Sequence, residues 1–271
     1  MLSIQFGASV AKGLFVDLGS AGTTALRVFF AALILVAIAN PIKNKAVFKK
    51  ILADKSQLAL VAAYGVSLGL MNLFFYFSIQ KIPLGLAVTL EFTGPLAVSV
   101  LYSRRWRDLL WVLLAAAGIG LLFYHSGESK IDYFGMFLAL VAAFFWGLYI
   151  IFGKKAIRSG HGSLIVSSLG MSFAALIALP VGLFMNTAQV INPQYWLAGI
   201  GVAILSSALP YSLELKAMQK IPEKTFGILM SFEPVVATMI GFVFLHEILD
   251  LFQITAMALV ITACVGSSYE S

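Results

Sequence analysis

The tetrapeptide Gln80-Lys81-Ile82-Pro83 recurs 139 residues further on as Gln219-Lys220-Ile221-Pro222, and this repeat decides how the chain is organised. The same offset, with no gap, pairs Pro95 with Pro234. A four-residue match can arise by chance, but matched prolines twelve residues further along, inside apolar runs of similar length, make chance a poor explanation. The sequence therefore predicts two copies of one structural unit.

The residues around the repeat are too apolar for a water-soluble protein. Of the 271 residues, 61% are apolar and only 11% are charged, whereas a soluble domain is about half apolar and about a quarter charged. A helix needs about 20 apolar residues to span a bilayer. We therefore predict an all-α membrane protein with ten transmembrane helices. The predicted spans are 1–16, 20–39, 57–79, 84–102, 109–125, 132–152, 163–184, 195–217, 225–245 and 251–268.

The ten spans divide into two five-helix repeats, residues 1–128 and 129–271. Because five is odd, the second copy enters the membrane from the opposite side. Inverted repeats are typical of secondary transporters, whose substrate site lies near the midplane between the halves. A purely structural bundle does not need this symmetry, so the repeat favours a transporter over a scaffold. The offset maps the start of the sixth span, near Asp132, to a point before Met1, and we expect the first helix to lack its first turns.

Basic residues lie mostly on one side of the predicted bundle. The connections after spans 2, 4, 6 and 8 hold 14 of the 18 lysines and arginines, whereas Lys12, Lys81 and Lys130 lie on the other side. Positive charge stays on the cytoplasmic face of a membrane, which predicts that both termini are cytoplasmic. In so apolar a chain, the net charge of +6 reflects this topology. The predicted surroundings are the lipid bilayer, and we expect no nucleic-acid partner.

Two carboxylates, Glu91 and Glu233, lie inside spans 4 and 9, each close to a proline. Charges at bilayer depth cost energy, so they mark either transport pathways or structural pairs. Pro95 and Pro234 each remove the hydrogen bond to the carbonyl four residues earlier. We therefore expect both helices to bend and to free a carbonyl at equivalent depth, close to a carboxylate. The alternative is that each glutamate bonds a neighbouring helix and the bend only shapes the bundle.

Other polar and aromatic side chains share helix faces. They are Gln5, Ser9 and Lys12 of span 1, Asn72 and Tyr76 of span 3, Thr93 of span 4, Trp146 and Tyr149 of span 6, and Tyr211 and Glu214 of span 8. Around a cavity, such groups could hold the aliphatic part and the charged ends of an amino acid. For any single residue, interhelical packing is the more common role. Arg27 of span 2 could attract a carboxylate, but we expect it to snorkel outward to Asp17.

The sequence lacks the parts of two common kinds of membrane enzyme or pump. It contains no His-Glu-x-x-His metal motif and no phosphate-binding Walker loop. We predict no enzymatic activity, no metal and no cofactor. The single cysteine, Cys264, lies in an apolar run and predicts no disulfide framework.

Several longer segments carry a family resemblance. They are Gly7-Ala8-Ser9-Val10-Ala11-Lys12, Tyr64-Gly65-Val66-Ser67-Leu68-Gly69, Leu90-Glu91-Phe92-Thr93-Gly94-Pro95-Leu96-Ala97-Val98, Ala208-Leu209-Pro210-Tyr211-Ser212-Leu213-Glu214 and Glu233-Pro234. Together they resemble the EamA-type ten-helix exporters of the drug/metabolite transporter superfamily. The resemblance runs nearly end to end and departs at the N-terminus and in the connections after spans 2 and 7.

The resemblance implies a bacterial inner-membrane exporter of small amino acids such as threonine and homoserine, and it suggests coupling to protons. The residues by themselves leave the substrate open. Aromatic amino acids, purines or drugs carried by the same architecture remain alternatives, and so does a channel or a non-transporting membrane protein. For a carrier, the expected mechanism is alternating access, with the two halves rocking about a cavity at the midplane.

Overall fold

The computed structural model describes residues 1–102, 108–129, 132–160, 162–210, 213 and 229–270, and every regular element in these ranges is helical. This confirms the predicted all-α fold. The first six helices are α1 (Leu2–Gly13), α2 (Phe15–Ala39), α3 (Lys45–Ala53), α4 (Lys55–Ile79), α5 (Leu84–Glu91) and α6 (Thr93–Tyr102). The others are α7 (Asp108–Ser129), α8 (Tyr133–Arg158), α9 (Ser163–Val190), a 3₁₀ turn (Pro193–Tyr195), α10 (Trp196–Ala203), a π turn (Ile204–Ala208), α11 (Glu233–Leu245) and α12 (Leu251–Glu270).

Five of these helices, α2, α4, α8, α9 and α12, are long and apolar enough to cross a membrane. Within the described ranges, the other predicted spans correspond to α1, to α5 with α6, to α7, to α10 with the π turn, and to α11. The fourth span is divided into α5 and α6 at Phe92, three residues before Pro95. Pro234 lies in the first turn of α11, where proline is tolerated because that N–H has no helical partner. In the eighth span, α10 runs directly into the π turn.

One helix of the structure, α3, lies in the connection after span 2 and was not predicted. Its Ile51 is fully buried and packs with Tyr64 of α4 and Val166 of α9, while Lys45 and Lys49 are exposed. The sequence signal was an apolar stripe opposed by lysines over nine residues. That length is too short to register as a span but is sufficient for an amphipathic helix.

The helices pack in a defined order. α2 lies along α9, α4 lies against both α8 and α9, and α7 pairs with α12. α5 packs between α8 and α11, and α1 contacts both α11 and the π turn. The α4–α9 contact is close, as the Gly65-x-x-x-Gly69 spacing of α4 allows. A Cβ atom on Gly65 would lie only 2.4 Å from the carbonyl oxygen of Gly170.

Two ion pairs tie helix ends together on one side of the bundle. Lys12 Nζ lies 2.5 Å from Glu247 Oε1, and Lys81 Nζ lies 2.9 Å from Asp132 Oδ2. Asp132 also accepts a hydrogen bond from the backbone N–H of Gly135 and so caps α8. The hydrogen bond from Lys81, followed by the one from Gly135, lowers the pKa of Asp132 below its ordinary value. The carboxylate of Asp132 is therefore stabilised in its charged form at this helix end.

Candidate functional site

A cavity of about 80 Å³ lies where helices from both halves of the chain meet. It is lined by Ile4, Gln5, Ala8, Arg27, Met71, Asn72, Phe75, Val88, Glu91, Trp146, Tyr149, Ser206, Met230 and Glu233. A single buried water needs roughly 10–15 Å³, so this space is large enough for several waters or for a small solute. The lining combines charged, amide and aromatic groups.

The two predicted carboxylates reach this cavity from the two helix breaks. Glu91 is the last residue of α5 and is 8% exposed, and Glu233 is the first residue of α11 and is 4% exposed. Gln5 of α1 donates a hydrogen bond from Nε2 to Glu233 Oε1 at 2.9 Å. Because Glu233 lies at a helix N-terminus, the α11 dipole also favours its negative charge.

Arg27 lies inside the bundle, so the expectation that it snorkels outward to Asp17 is wrong. The side chain is 5% exposed. Its Nη2 donates to Asn72 Oδ1 at 2.5 Å, and its Nε donates to Ser207 Oγ at 3.1 Å. The guanidinium carbon lies 4.9 Å from the centre of the Tyr76 ring, in a cation–π contact. Partners on α4 and the π turn therefore satisfy this cation within the core.

The π turn also contributes backbone to this arrangement. Proline cannot donate a hydrogen bond, so Pro210 leaves the carbonyl four residues before it, that of Ser206, without its α-helical partner. Arg27 Nη2 lies 3.5 Å from this oxygen, at the long end of hydrogen-bond range. π turns of this kind occur frequently at functional sites.

Two predicted aromatic residues form one wall of the cavity. Trp146 and Tyr149 lie one turn apart on α8, and both line the space. Trp146 meets the ring of Phe92 edge-on, with the centroids 4.8 Å apart, so it packs directly against the break between α5 and α6. Tyr149 stacks on Tyr64 at 5.1 Å. These contacts hold both rings in fixed orientations.

The remaining predicted site residues have four different placements. Asn72 lines the cavity beside Arg27. Tyr76 is fully buried one turn further along α4, where it lies under the guanidinium and outside the lining. Thr93 is not brought to the cavity, because it lies beyond the break and its hydroxyl donates to the Leu90 carbonyl at 2.6 Å. Tyr211 and Glu214 lie outside the described residues.

Sequence reasoning did not assign two of the groups that matter most at the site. Arg27 was set aside although a cation two turns into an apolar span is costly unless it has partners inside the protein. Ser206 was not assigned a role, although it lines the cavity. The available signal was the proline four residues after Ser206, which frees a carbonyl as Pro95 and Pro234 do.

The described ranges also bear on two other chemistries, metal binding and hydrolysis. These ranges contain no group of three or more His, Cys, Asp or Glu side chains that could hold a metal ion. Gly65-Val66-Ser67-Leu68-Gly69 matches the Gly-x-Ser-x-Gly pattern of hydrolases, which requires a sharp strand-to-helix turn. Here the segment lies within α4, and the hydroxyl of Ser67 donates to its own helix at Ala63. The cavity is instead suited to a small molecule that carries both a negative and a positive group.

Comparison with known proteins gives consistent matches. Residues 133–269 match the EamA-like transporter family. The threonine/homoserine exporter RhtA of Escherichia coli strain K12 is 44% identical over 269 residues, which cover 99% of this chain and 88% of that protein. RhtA of Salmonella typhimurium strain LT2 is also 44% identical, with the same coverage. A solved crystal structure with 18% identity covers 98% of this chain and 94% of its own, with a TM-score of 0.57, so its overall fold is similar.

Proposed function

Because the chain belongs to the EamA-like transporter family, we propose that it is a secondary transporter of the bacterial inner membrane that exports small amino acids such as threonine and homoserine. The observation that carries this proposal is the 44% identity, along 99% of the chain, to a threonine/homoserine exporter. The polar cavity between the halves is consistent with such a substrate, because it offers groups of both charges.

The proposed architecture is ten transmembrane helices in two inverted repeats, residues 1–128 and 129–271, with both termini cytoplasmic. Helix packing supports it. Three of the packed pairs join counterpart spans of the two repeats: α2 with α9 (spans 2 and 7), α5 with α11 (spans 4 and 9) and α7 with α12 (spans 5 and 10). The α4–α8 contact also has a counterpart. The counterpart of α8 is α1, the counterparts of α4 are α10 and the π turn, and α1 contacts both. A pseudo-twofold relation between the halves accounts for this pattern.

The cavity would bind a zwitterionic amino acid through its two charged ends. The guanidinium of Arg27 is planar and presents paired donors, a geometry that suits the substrate carboxylate. Glu91 and Glu233 would receive the ammonium group, and Asn72 would orient Arg27. Trp146 and Tyr149 would contact the aliphatic part. Tyr76 and Thr93 would act indirectly, by supporting Arg27 and the helix break. Tyr211 and Glu214 are proposed as further substrate-binding or coupling residues.

Transport would proceed by alternating access, with the bends near Pro95 and Pro234 allowing the halves to rock around the cavity. A buried carboxylate can exchange a proton for an ammonium group, because both neutralise it. Glu91 or Glu233 would therefore carry the coupling proton. With two carboxylates and one arginine on its lining, the cavity needs one further positive charge to be neutral. Either a proton or the substrate ammonium group would supply it.

The test is a flux assay with the purified protein in liposomes, with and without a pH gradient. Labelled threonine, homoserine, phenylalanine and a cationic drug are compared side by side. We expect saturable threonine and homoserine flux, with counterflow, and faster flux down an imposed pH gradient. A preference for phenylalanine or the drug would reassign the substrate, and linear, non-saturable flux would indicate a pore.

A further inference from the structure

Two residues that line the cavity each carry a buried polar atom with no hydrogen-bond partner within the described part of the chain. These atoms are Oε1 of Gln5 and Oγ of Ser206. Both residues are almost completely buried, at 3% and 2% exposed, and both line the cavity. Buried polar atoms in proteins are nearly always paired, because leaving one unpaired costs its full desolvation free energy. Two unpaired atoms on residues that line one small cavity therefore suggest a ligand group that pairs with them.

The side chains of Gln5 and Ser206 each make a further contact that restricts their position. Gln5 donates a hydrogen bond to Glu233 through its amide nitrogen, Nε2. Its amide oxygen, Oε1, can therefore only accept a hydrogen bond from another group. Ser206 lies in the π turn directly against α1. A Cβ atom on Gly7 would lie only 2.2 Å from Ser206 Oγ, so only glycine permits this approach. Gln5 lies on α1, Ser206 lies on the π turn that packs against α1, and both residues line the cavity.

We propose that Gln5 Oε1 and Ser206 Oγ form a subsite for the side-chain hydroxyl of the substrate. A hydroxyl has one donor and two acceptor positions, so it can donate to Gln5 and accept from Ser206 at once. The inference rests on the proposed function, in which Arg27 and the two glutamates hold the charged ends of the amino acid. The transporter would then select hydroxyl-bearing amino acids over analogues of equal shape.

The selection follows from the polar atoms that a substrate without a hydroxyl would leave unpaired. Valine has the shape of threonine with a methyl group in place of the hydroxyl. Its methyl would exclude water from the subsite while leaving the Gln5 oxygen and the Ser206 hydroxyl unpaired. Sites built to hydrogen-bond a substrate hydroxyl reject analogues without it far more strongly than apolar pockets reject an added group.

The experiment measures the ratio of apparent KM for valine to that for threonine in proteoliposome counterflow, for the wild type and for Ser206→Ala. The matched control is Ser67→Ala, at the repeat counterpart of Ser206. Ser67 is also buried, but its hydroxyl is already satisfied by the Ala63 carbonyl and does not line the cavity. We expect the wild type and Ser67→Ala to favour threonine strongly. In Ser206→Ala the ratio should fall roughly tenfold, as the loss of one hydrogen bond predicts, mainly through a higher KM for threonine.

Thermal melting provides a second measurement, because Ser206→Ala removes an unpaired buried hydroxyl. We expect the melting temperature without substrate to stay the same or rise, and the threonine-induced increase to become smaller. If the wild type transports valine and threonine equally, or if Ser206→Ala keeps the wild-type ratio, the hydroxyl subsite is refuted while export of amino acids stands. If the wild type transports no threonine, the proposed function itself fails.

Discussion

Arg27 lines the same cavity as the carboxylates of Glu91 and Glu233, and its substitution separates the role of charge from the role of shape. Lysine keeps the charge but lacks the planar fork that binds a carboxylate in two places. We expect Arg27→Lys to raise the KM for threonine at least tenfold and Arg27→Gln to abolish transport. Flux measured against threonine concentration tests this. Arg158→Gln, at an exposed position on α8, is the control and should transport normally. Wild-type KM in Arg27→Lys would contradict a carboxylate contact.

Glu91 and Glu233 differ in their surroundings, so their substitution should identify the coupling group. Gln5 already donates to Glu233, and a glutamine at 233 can still accept that hydrogen bond through its amide oxygen. We expect both Glu91→Gln and Glu233→Gln to fold. At least one should lose efflux driven by a pH gradient while keeping threonine exchange at equal pH. Comparing the two modes in the same liposomes checks this. Normal pH-driven efflux in both variants would exclude these carboxylates as proton carriers.

At the scale of elements, the contact between α6 and α8 sets the position of the break at Phe92. A Cβ atom on Gly94 would lie 2.1 Å from the carbonyl oxygen of Ala143, and that backbone atom cannot move independently of α8. We expect Gly94→Ala to push α6 away, to lower the stability by about 1–3 kcal/mol, and to reduce transport because Trp146 packs on Phe92. Melting in detergent and threonine flux measure both effects.

The control for this change is Gly120→Ala on α7, where an added Cβ meets nothing within 4 Å. Replacing a helical glycine with alanine in open space gains roughly 0.5–1 kcal/mol, so this variant should melt at the same or a higher temperature. Equal melting temperatures for the two variants would show that the α6–α8 contact tolerates movement.

The helices show which parts of the structure can be predicted from the sequence. Proline marked the breaks near Glu91 and Glu233, because its effect on the backbone is local and does not depend on distant partners. The inward position of Arg27 was missed, because its partners Asn72 and Ser207 lie 45 and 180 residues away along the chain. Periodicity assigns a side chain to a helix face, but packing alone determines what that face meets.

At the scale of the whole molecule, the cavity depends on both halves of the chain. Arg27, Asn72 and Glu91 come from the first half, whereas Trp146 and Glu233 come from the second. The predicted EamA-type resemblance is confirmed by the family match and by the near full-length relatives. Because the cavity is lined by residues of both halves, the proposed movement of one half against the other would change access to it without rebuilding it.

Such a movement requires the ties at one end of the bundle to open. The carboxylate of Glu247 accepts from Lys12 on α1 at 2.5 Å and from the backbone N–H of Leu84 at 2.7 Å, and Lys12 also donates to the carbonyl of Ile82 at 3.2 Å. These bonds connect the ends of α1, α5 and α11 on the side that the proposed topology places outside the cell. We refer to them as the Lys12–Glu247 latch.

We expect Glu247→Gln to weaken the latch and to increase access to the cavity from outside, because the substitution removes the ionic partner of Lys12. Access is read by introducing Ala8→Cys at the cavity lining in a Cys264→Ala background and measuring the labelling rate with a membrane-impermeant maleimide. Labelling should become several-fold faster. Asp132→Asn is the control, because the Lys81–Asp132 pair lies on the same side but is more than a third exposed, and exposed pairs contribute about 0–1 kcal/mol. Equal labelling rates in Glu247→Gln and Asp132→Asn would show that the latch does not hold the outer end closed.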